Sequence, residues 1–211
     1  MSSDGTSVSA LPRRDLELIA EMVTDGSRVL DIGCGDGALL DHLGRHKGVD
    51  GRGIELSQAG VNACVAHGLS VIQGDADTDL EHYPDDAFDF VVLTRTLQAT
   101  RNPREVVSHL VRIGKHAIVS FENYGHWRVR LQLLLNGRIP VMGADEGFGW
   151  HDAPNIHPCT IRDFSAMCEE LGLSVKRALS LSRAGATRKL RSAGASANIR
   201  GEEAIFLLTR D

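Results

Sequence analysis

A glycine-rich turn between an apolar run and an amphipathic stretch constrains this chain more than any other feature. Residues 29–37 read VLDIGCGDG, so a strand-like segment leads into a Gly-x-Gly-x-Gly turn. Glycine suits such a turn because the backbone bends tightly and approaches a ligand without a Cβ in the way. The helix predicted from Ala38 would present free N–H groups and a partial positive charge, which favour a carboxylate or phosphate. The turn therefore predicts a strand–turn–helix ligand site.

Two acidic residues follow the next two predicted strands. Glu55 comes directly after one strand-like run and Asp75 after the next. The carboxyl ends of parallel strands meet at one edge of a sheet, where ligands bind in open α/β folds. Glu55 is then placed to accept the ribose hydroxyls of a nucleoside, and Asp75 to meet an adenine amino group. A turn that keeps the fold but binds nothing is the alternative, and the combination of these residues disfavours it.

Strand-like and helix-like segments alternate through most of the chain. Such alternation predicts a mostly parallel sheet with helices on both faces. The run 90–93 is apolar at consecutive positions, as in a strand buried on both sides. The last third predicts an antiparallel end to the sheet. Strands are predicted at 29–32, 52–54, 70–73, 88–93, 117–121, 174–181 and 203–209, and helices at 11–23, 38–45, 58–66, 104–113 and 160–171.

Length and composition indicate one domain and exclude several classes of partner. The 211 residues fit a single domain over 12–211, with a disordered tail at 1–11 and a mobile loop at 183–201. A net charge of −5 and 5% aromatic residues disfavour nucleic acid, and no apolar run is long enough to cross a membrane. The four cysteines form no C-x-x-C pair, which favours free thiols and a cytoplasmic location.

No catalytic residue stands out. Group transfer needs a positioned nucleophile or base, and the turn after the fourth strand is its natural place. That turn carries Thr94, Arg95 and Gln98, but no His or carboxylate. These three side chains either line a pocket or are ordinary polar residues at a strand end, and the second interpretation is favoured.

Histidines and tryptophans cluster after the fifth strand. His126, His151 and His157, with Cys159, match no standard metal-ligand spacing, so no metal is predicted. The segment 123–140 predicts a helix with Val129, Leu133 and Leu134 on one side, ended by Gly137. Tryptophan and arginine often anchor protein interfaces, so a partner surface is predicted here. Its candidate residues are His126, Trp127, Arg130 and Trp150.

The glycine turn and its acidic partners resemble the class I S-adenosylmethionine-dependent methyltransferases. The spacing is Gly-x-Gly-x-Gly, with Asp31 ahead of it, and differs from the Gly-x-Gly-x-x-Gly of dinucleotide-binding dehydrogenases. The resemblance implies a Rossmann-like, seven-stranded sheet that binds S-adenosylmethionine or S-adenosylhomocysteine. It places the methionine portion at the loop, the ribose at Glu55 and the adenine at Asp75. The implied ligand-binding residues are Asp31, Gly33, Cys34, Gly35, Gly37, Glu55, Leu56, Asp75, Ala76 and Thr94.

Further stretches make the chain similar to the MetW family of methionine biosynthesis proteins. These are residues 96–99 (TLQA), 125–127 (GHW) and 155–157 (NIH), and the likeness runs from about Arg13 to Leu173. Arg95 and Glu122 depart from the family pattern. The resemblance implies an accessory role beside homoserine O-acyltransferase (MetX), with S-adenosylmethionine as a signal of pathway end product. A methyltransferase acting on a small metabolite is the alternative, because methyl transfer can proceed by proximity alone.

Overall fold

A computed structural model describes residues 13–140, 149–182, 184–190 and 195–210. The apolar runs and the glycines that separate them produce the expected alternation of strands and helices. The helices are α1 (Arg14–Met22), α2 (Ala38–Lys47), α3 (Gln58–Ala66), α4 (Pro103–Ile113), α5 (Trp127–Asn136), α6 (Ile161–Glu170) and α7 (Ala195–Arg200). The strands are β1 (Arg28–Ile32), β2 (Asp50–Glu55), β3 (Val71–Gln73), β4 (Phe88–Thr94), β5 (Gly114–Glu122), β6 (Leu173–Leu181), β7 (Thr187–Lys189) and β8 (Glu203–Arg210).

The strands form one mixed sheet in the order β3-β2-β1-β4-β5-β8-β6-β7. Strands β1 to β5 pair in parallel, whereas β8 lies antiparallel between β5 and β6. The predicted α/β, Rossmann-like fold with an antiparallel C-terminal strand is therefore confirmed. The described residues add an eighth strand, β7, at the sheet edge.

Two apolar layers cover the sheet because successive strand residues point to opposite faces. In β4, Phe90 and Val92 pack in the layer formed with α1 and α2. Val91 and Leu93 pack in the layer formed with α4 and α6. All four side chains are buried, which explains the continuous apolar run in the sequence.

Helix ends follow local chemistry. Ser57 caps α3 by accepting a hydrogen bond from Gly60 N at 3.1 Å, and Pro103 occupies the first turn of α4. A capping box joins Thr160 and Asp163 at the start of α6. These caps fix where each helix starts relative to the carboxyl edge of the sheet.

The described part of the predicted loop at 183–201 contains a short strand and a short helix. Strand β7 pairs with β6, and Leu190 N donates to Ala178 O at 2.8 Å. Helix α7 is held by Asn123, whose Nδ2 donates to Asn198 O at 2.8 Å. All three β7 side chains are exposed, so the strand lacks the alternating pattern that would have predicted it. Residues 183 and 191–194, and the tail predicted at 1–11, lie outside the described residues.

The described ranges contain the seven α-helices given above. None of the helices there combines the length and the apolar character that crossing a bilayer requires.

Candidate functional site

The glycine turn lies at the carboxyl ends of β1 and β2. The N–H groups of Gly33 and Cys34 both donate to Ile54 O, at 2.8 and 3.2 Å, so the turn is fastened to β2. Gly33, Gly35 and Gly37 have φ of 70°, 59° and 80°, the left-handed region that favours glycine. The turn thus has the conformation that its sequence predicts.

The three glycines have different surroundings. A Cβ on Gly33 would lie 2.4 Å from Thr96 Oγ1, and one on Gly37 would lie 2.3 Å from Leu69 Cδ1. A Cβ on Gly35 would meet no atom of the described residues within 4 Å. A side chain at position 33 or 37 would therefore have to displace Thr96 or Leu69, whereas Gly35 faces open space that a ligand can fill.

Glu55 closes the same cleft from the end of β2. Its Oε2 accepts a hydrogen bond from Gly35 N at 2.9 Å and its Oε1 accepts one from Ser57 N at 2.9 Å. The two bonds fix the carboxylate, and each oxygen keeps a lone pair for a further donor. A fixed acceptor with spare capacity suits the paired hydroxyls of a ribose.

Two buried polar atoms lie at the ends of β1 and β4. Asp31 Oδ1 and Thr94 Oγ1 have no hydrogen-bond partner among the described residues. Burial raises the pKa of Asp31 to about 7, the Arg13 charge lowers it and the Glu55 charge raises it further. Orphaned buried groups are costly, so a ligand that formed a hydrogen bond with either atom would relieve that cost. The α-ammonium of S-adenosylmethionine has that chemistry.

The adenine side of the cleft differs in detail from the expectation. The Asp75 carboxylate is already ion-paired with Arg101 and also accepts a hydrogen bond from Asp77 N at 2.9 Å. Arg101 reaches Asp77 as well, at 3.4 Å. Leu56 is 65% exposed, so its apolar side chain is accessible for packing against a flat aromatic ring. Ala76 is partly buried. An adenine at Asp75 would therefore have to share or displace the Arg101 guanidinium.

Cys34 contributes to the cleft through its backbone alone. Its side chain is buried, with Sγ 3.9 Å from Cys64 Sγ. Burial raises the pKa of the Cys34 thiol, so the group is a neutral packing residue.

An ion cluster follows β4. Arg95 donates to Glu203 at 2.7 and 3.0 Å and lies 3.4 Å from Asp15, which Arg13 approaches at 2.8 Å. Burial alone would lower the pKa of Arg95, but Glu203 and Asp15 raise it. Arg95 has a φ of 54°, unusual for a residue other than glycine. The guanidinium is thus committed to carboxylates of α1 and β8.

Sequence reasoning did not find Asp15 and Glu203. They lie 80 and 108 positions from Arg95, so no spacing links them. The one available signal was an aspartate beside Leu16 in a helix whose neighbouring side chains are buried. A buried carboxylate generally needs a cationic partner.

Gln98 is a structural residue of the same region. Its Nε2 donates to Glu122 O and its Oε1 accepts from Glu122 N, each at 3.1 Å. Its own carbonyl accepts hydrogen bonds from Ile156 and His157, both at 2.9 Å. Gln98 therefore joins the turn after β4 to the end of β5 and to the segment after residue 149.

The partner-surface candidates have unequal exposure. Trp127 and Trp150 are 46% and 77% exposed, whereas His126 is 4% exposed and accepts a hydrogen bond from Arg128 N as the cap of α5. Burial lowers the pKa of His126. The side chain of His126 is therefore not available at the surface. Arg130 donates to Gly125 O at 2.7 Å.

The histidines and Cys159 do not converge. His157 lies 3.2 Å from Arg101 O, and Cys159 lies 3.7 Å from Gln98 Nε2. Within the described ranges, no three His, Cys, Asp or Glu side chains are grouped as metal ligands would be.

Solved structures share this architecture at low sequence identity. One is a Thermotoga maritima protein described as an S-adenosylmethionine-dependent methyltransferase, possible histamine N-methyltransferase. It superposes with a TM-score of 0.68 at 15% identity, over 94% of this chain and 88% of that one. The likeness places this chain in the fold class of the class I S-adenosylmethionine-dependent methyltransferases.

The family is shown by sequence. The chain belongs to the family described as methionine biosynthesis protein MetW, whose model matches residues 13–208. A Rhodopirellula baltica relative, "Bifunctional methionine biosynthesis protein MetXA/MetW", is 34% identical over 169 residues, covering 76% of this chain. A Photorhabdus laumondii ubiquinone biosynthesis O-methyltransferase is 30% identical over 46% of this chain. The chain covers only 27% and 44% of these two relatives' own lengths.

Proposed function

We propose that the chain binds S-adenosylmethionine or S-adenosylhomocysteine in the glycine cleft and acts as an accessory subunit of a homoserine O-acyltransferase. One observation carries the partner: a relative matching 76% of this chain bears the names MetXA and MetW together. A single polypeptide holds its two parts at high effective concentration, which suits parts that work together.

The cleft supports the ligand. It combines open space at Gly35, a fixed carboxylate at Glu55 and an orphaned atom of Asp31. These match, in turn, a close backbone approach, a ribose and an α-ammonium group. Asp31, Glu55 and the turn would hold the ligand, whose sulfonium would supply any methyl group transferred.

The geometry after β4 favours an accessory role over methyl transfer. The position where a base is expected holds Arg95, whose donors already bind Glu203 and Asp15. A guanidinium cannot remove a proton at neutral pH. A methyltransferase acting on a small metabolite stays the second candidate, favoured by the fold shared with the Thermotoga maritima protein. Fold alone does not assign an activity.

The test is an acylation assay with the homoserine O-acyltransferase of the same organism, with and without this chain, over a range of S-adenosylmethionine concentrations. We expect the chain to raise the rate and the ligand to change that increase. Glu55→Ala should keep the increase and lose the response to ligand. An unchanged rate, with labelled methyl appearing on a metabolite of a cell extract, would instead support the methyltransferase.

A further inference from the structure

Helix α5 has an apolar face that no described part of the chain covers. Trp127, Leu131, Leu134 and Leu135 are 46%, 42%, 80% and 71% exposed. Their spacing of four, seven and eight residues places them on one side of the helix. Among the ten residues of α5, all of them described, Val129 alone is buried. We call the four exposed side chains the α5 stripe.

The α5 stripe groups four exposed apolar side chains on one side of a single helix, which distinguishes it from scattered exposed residues. Single exposed apolar residues are common, but contiguous apolar patches on monomeric proteins usually mark an interaction site. Arg130 Nε donates to Gly125 O at 2.7 Å and His126 caps the first turn, so local hydrogen bonds stabilise the start of the helix that carries the stripe. A helix that is already formed costs less conformational entropy on docking than a segment that must fold on binding.

Positive charge borders the stripe. Helix α5 reads WRVRLQLLLN, with Arg128 and Arg130 and no acidic residue, and Arg138 follows shortly after its end. The Arg128 guanidinium lies over the Trp127 ring, 5.4 Å from its centroid. The chemistry of the surface is therefore an apolar centre with a basic rim.

That charge pattern discriminates between possible occupants. A second copy docked through the same helix would bring arginines against arginines with no carboxylate on α5 to pair them. An anionic membrane would attract the arginines but repel a chain of net charge −5. A protein groove with an apolar floor and an acidic rim fits both the stripe and its border.

We propose that the α5 stripe is the docking surface for the acyltransferase partner, which would receive α5 in an apolar groove rimmed by carboxylates, as amphipathic helices are received in helix-in-groove complexes. The inference rests on the proposed function, since it supplies the surface through which that function would operate. Of the four partner-contact candidates from the sequence, the proposed surface includes Trp127 and, as a rim charge, Arg130. It replaces His126 with the three leucines and does not include Trp150, which lies outside α5.

The experiment measures binding of the purified acyltransferase to the full chain by calorimetry. Leu134→Glu places a charge at the most exposed position of the stripe and should weaken binding about tenfold or more. Arg128→Glu should weaken binding less and reduce its dependence on salt, because a rim charge acts through long-range attraction. The matched control is Val65→Glu on α3, where an apolar side chain is 57% exposed away from the stripe. It should bind as the wild type does, and all three variants should melt as the wild type does.

The outcomes separate this inference from the function beneath it. Wild-type binding that Leu134→Glu leaves intact would overturn the α5 surface while preserving the accessory role. No binding by the wild-type chain would overturn both. A wild-type dimer that Leu134→Glu dissociates would assign the stripe to a second copy. Leu134-dependent binding to vesicles of phosphatidylglycerol and phosphatidylcholine would assign it to a membrane, and either result would overturn the proposal.

Discussion

Asp31 is the residue at which folding and ligand binding conflict most. Its carboxyl is fully buried with an orphaned oxygen, and burial raises its pKa to about 7 from an ordinary value of 3.8. The folded state therefore holds a proton that the unfolded state releases above about pH 4. By linkage, this group lowers the free energy of unfolding progressively as pH rises from about 4 to about 7, and the loss is complete above that.

Replacing Asp31 with asparagine should remove this penalty. We expect Asp31→Asn to melt several degrees above the wild type at pH 8, at about 2–4 °C per kcal/mol for a chain of this size. The difference should shrink as pH falls toward 5, because the wild-type carboxyl is then protonated in the folded state. Melting curves at both pH values check this, and a constant difference would contradict a titrating Asp31. The same variant should bind S-adenosylmethionine more weakly, since it cannot pair with the ligand's ammonium.

Alanine substitutions at Gly35 and Gly48 allow the effect on ligand contact to be measured apart from the effect on backbone conformation. Gly35 and Gly48 have φ of 59° and 62°, and a Cβ on either meets no described atom within 4 Å. Alanine at each should cost a similar free energy of unfolding, about 1 kcal/mol, because left-handed backbone disfavours a Cβ. Only Gly35→Ala should also weaken S-adenosylmethionine binding, by about tenfold or more, because its methyl enters the cleft. Equal affinities for the two variants in a titration would contradict the ligand's placement.

Arg95 links three secondary-structure elements. It follows β4 and binds Glu203 of β8 and Asp15 of α1. Arg95→Met should lower the free energy of unfolding by about 3 kcal/mol, because it leaves the buried Glu203 carboxylate without its cation, whereas Asp15 keeps its ion pair with Arg13. The double variant Arg95→Met/Glu203→Met should recover part of this loss. Arg104→Met, which breaks the exposed pair with Glu170, should cost less than about 1 kcal/mol. Urea unfolding measures all three, and equal costs for the two single variants would contradict the structural role of the cluster.

The elements that the sequence predicts well are those whose burial is complete. The run 90–93 is apolar because both faces of β4 are covered, and the glycine turn is recognisable because three positive φ angles need three glycines. The bounds predicted for helix α3, Gln58–Ala66, agree with the observed ones, where Ser57 caps the start and Gly68 follows the end. In these places the local sequence is sufficient to predict the structure.

The rest depends on contacts that sequence spacing cannot reveal. Val129, Leu133 and Leu134 were predicted on one side of α5, but the structure buries Val129 and leaves Leu133 and Leu134 48% and 80% exposed. An apolar pattern does not state which side of a helix the domain covers. The pairing of Asp75 with Arg101 and of Arg95 with Glu203 likewise arises only when distant segments meet.

Across the whole molecule, the cleft and the α5 stripe belong to one connected edge. The turn after β4 is hydrogen-bonded to β5 through Arg95 N and Ser120 O at 3.0 Å, and through Gln98 and Glu122. Strand β5 leads through Asn123 into α5, and Asn123 also holds Gly201 O at 2.7 Å and Ile161 N at 3.1 Å. Hydrogen bonds therefore connect the turn after β4 to the strand that leads into the proposed docking helix.

The most direct test measures the affinity for S-adenosylmethionine twice, by calorimetry on the chain alone and on the chain saturated with the acyltransferase. If the ligand changes the affinity of the chain for the acyltransferase, linkage requires the acyltransferase to change the affinity for the ligand by the same factor. We predict a change of about fivefold or more between the two titrations, with binding lost in Glu55→Ala. Identical dissociation constants, or no binding in either titration, would contradict the account of this chain as an S-adenosylmethionine-responsive accessory subunit.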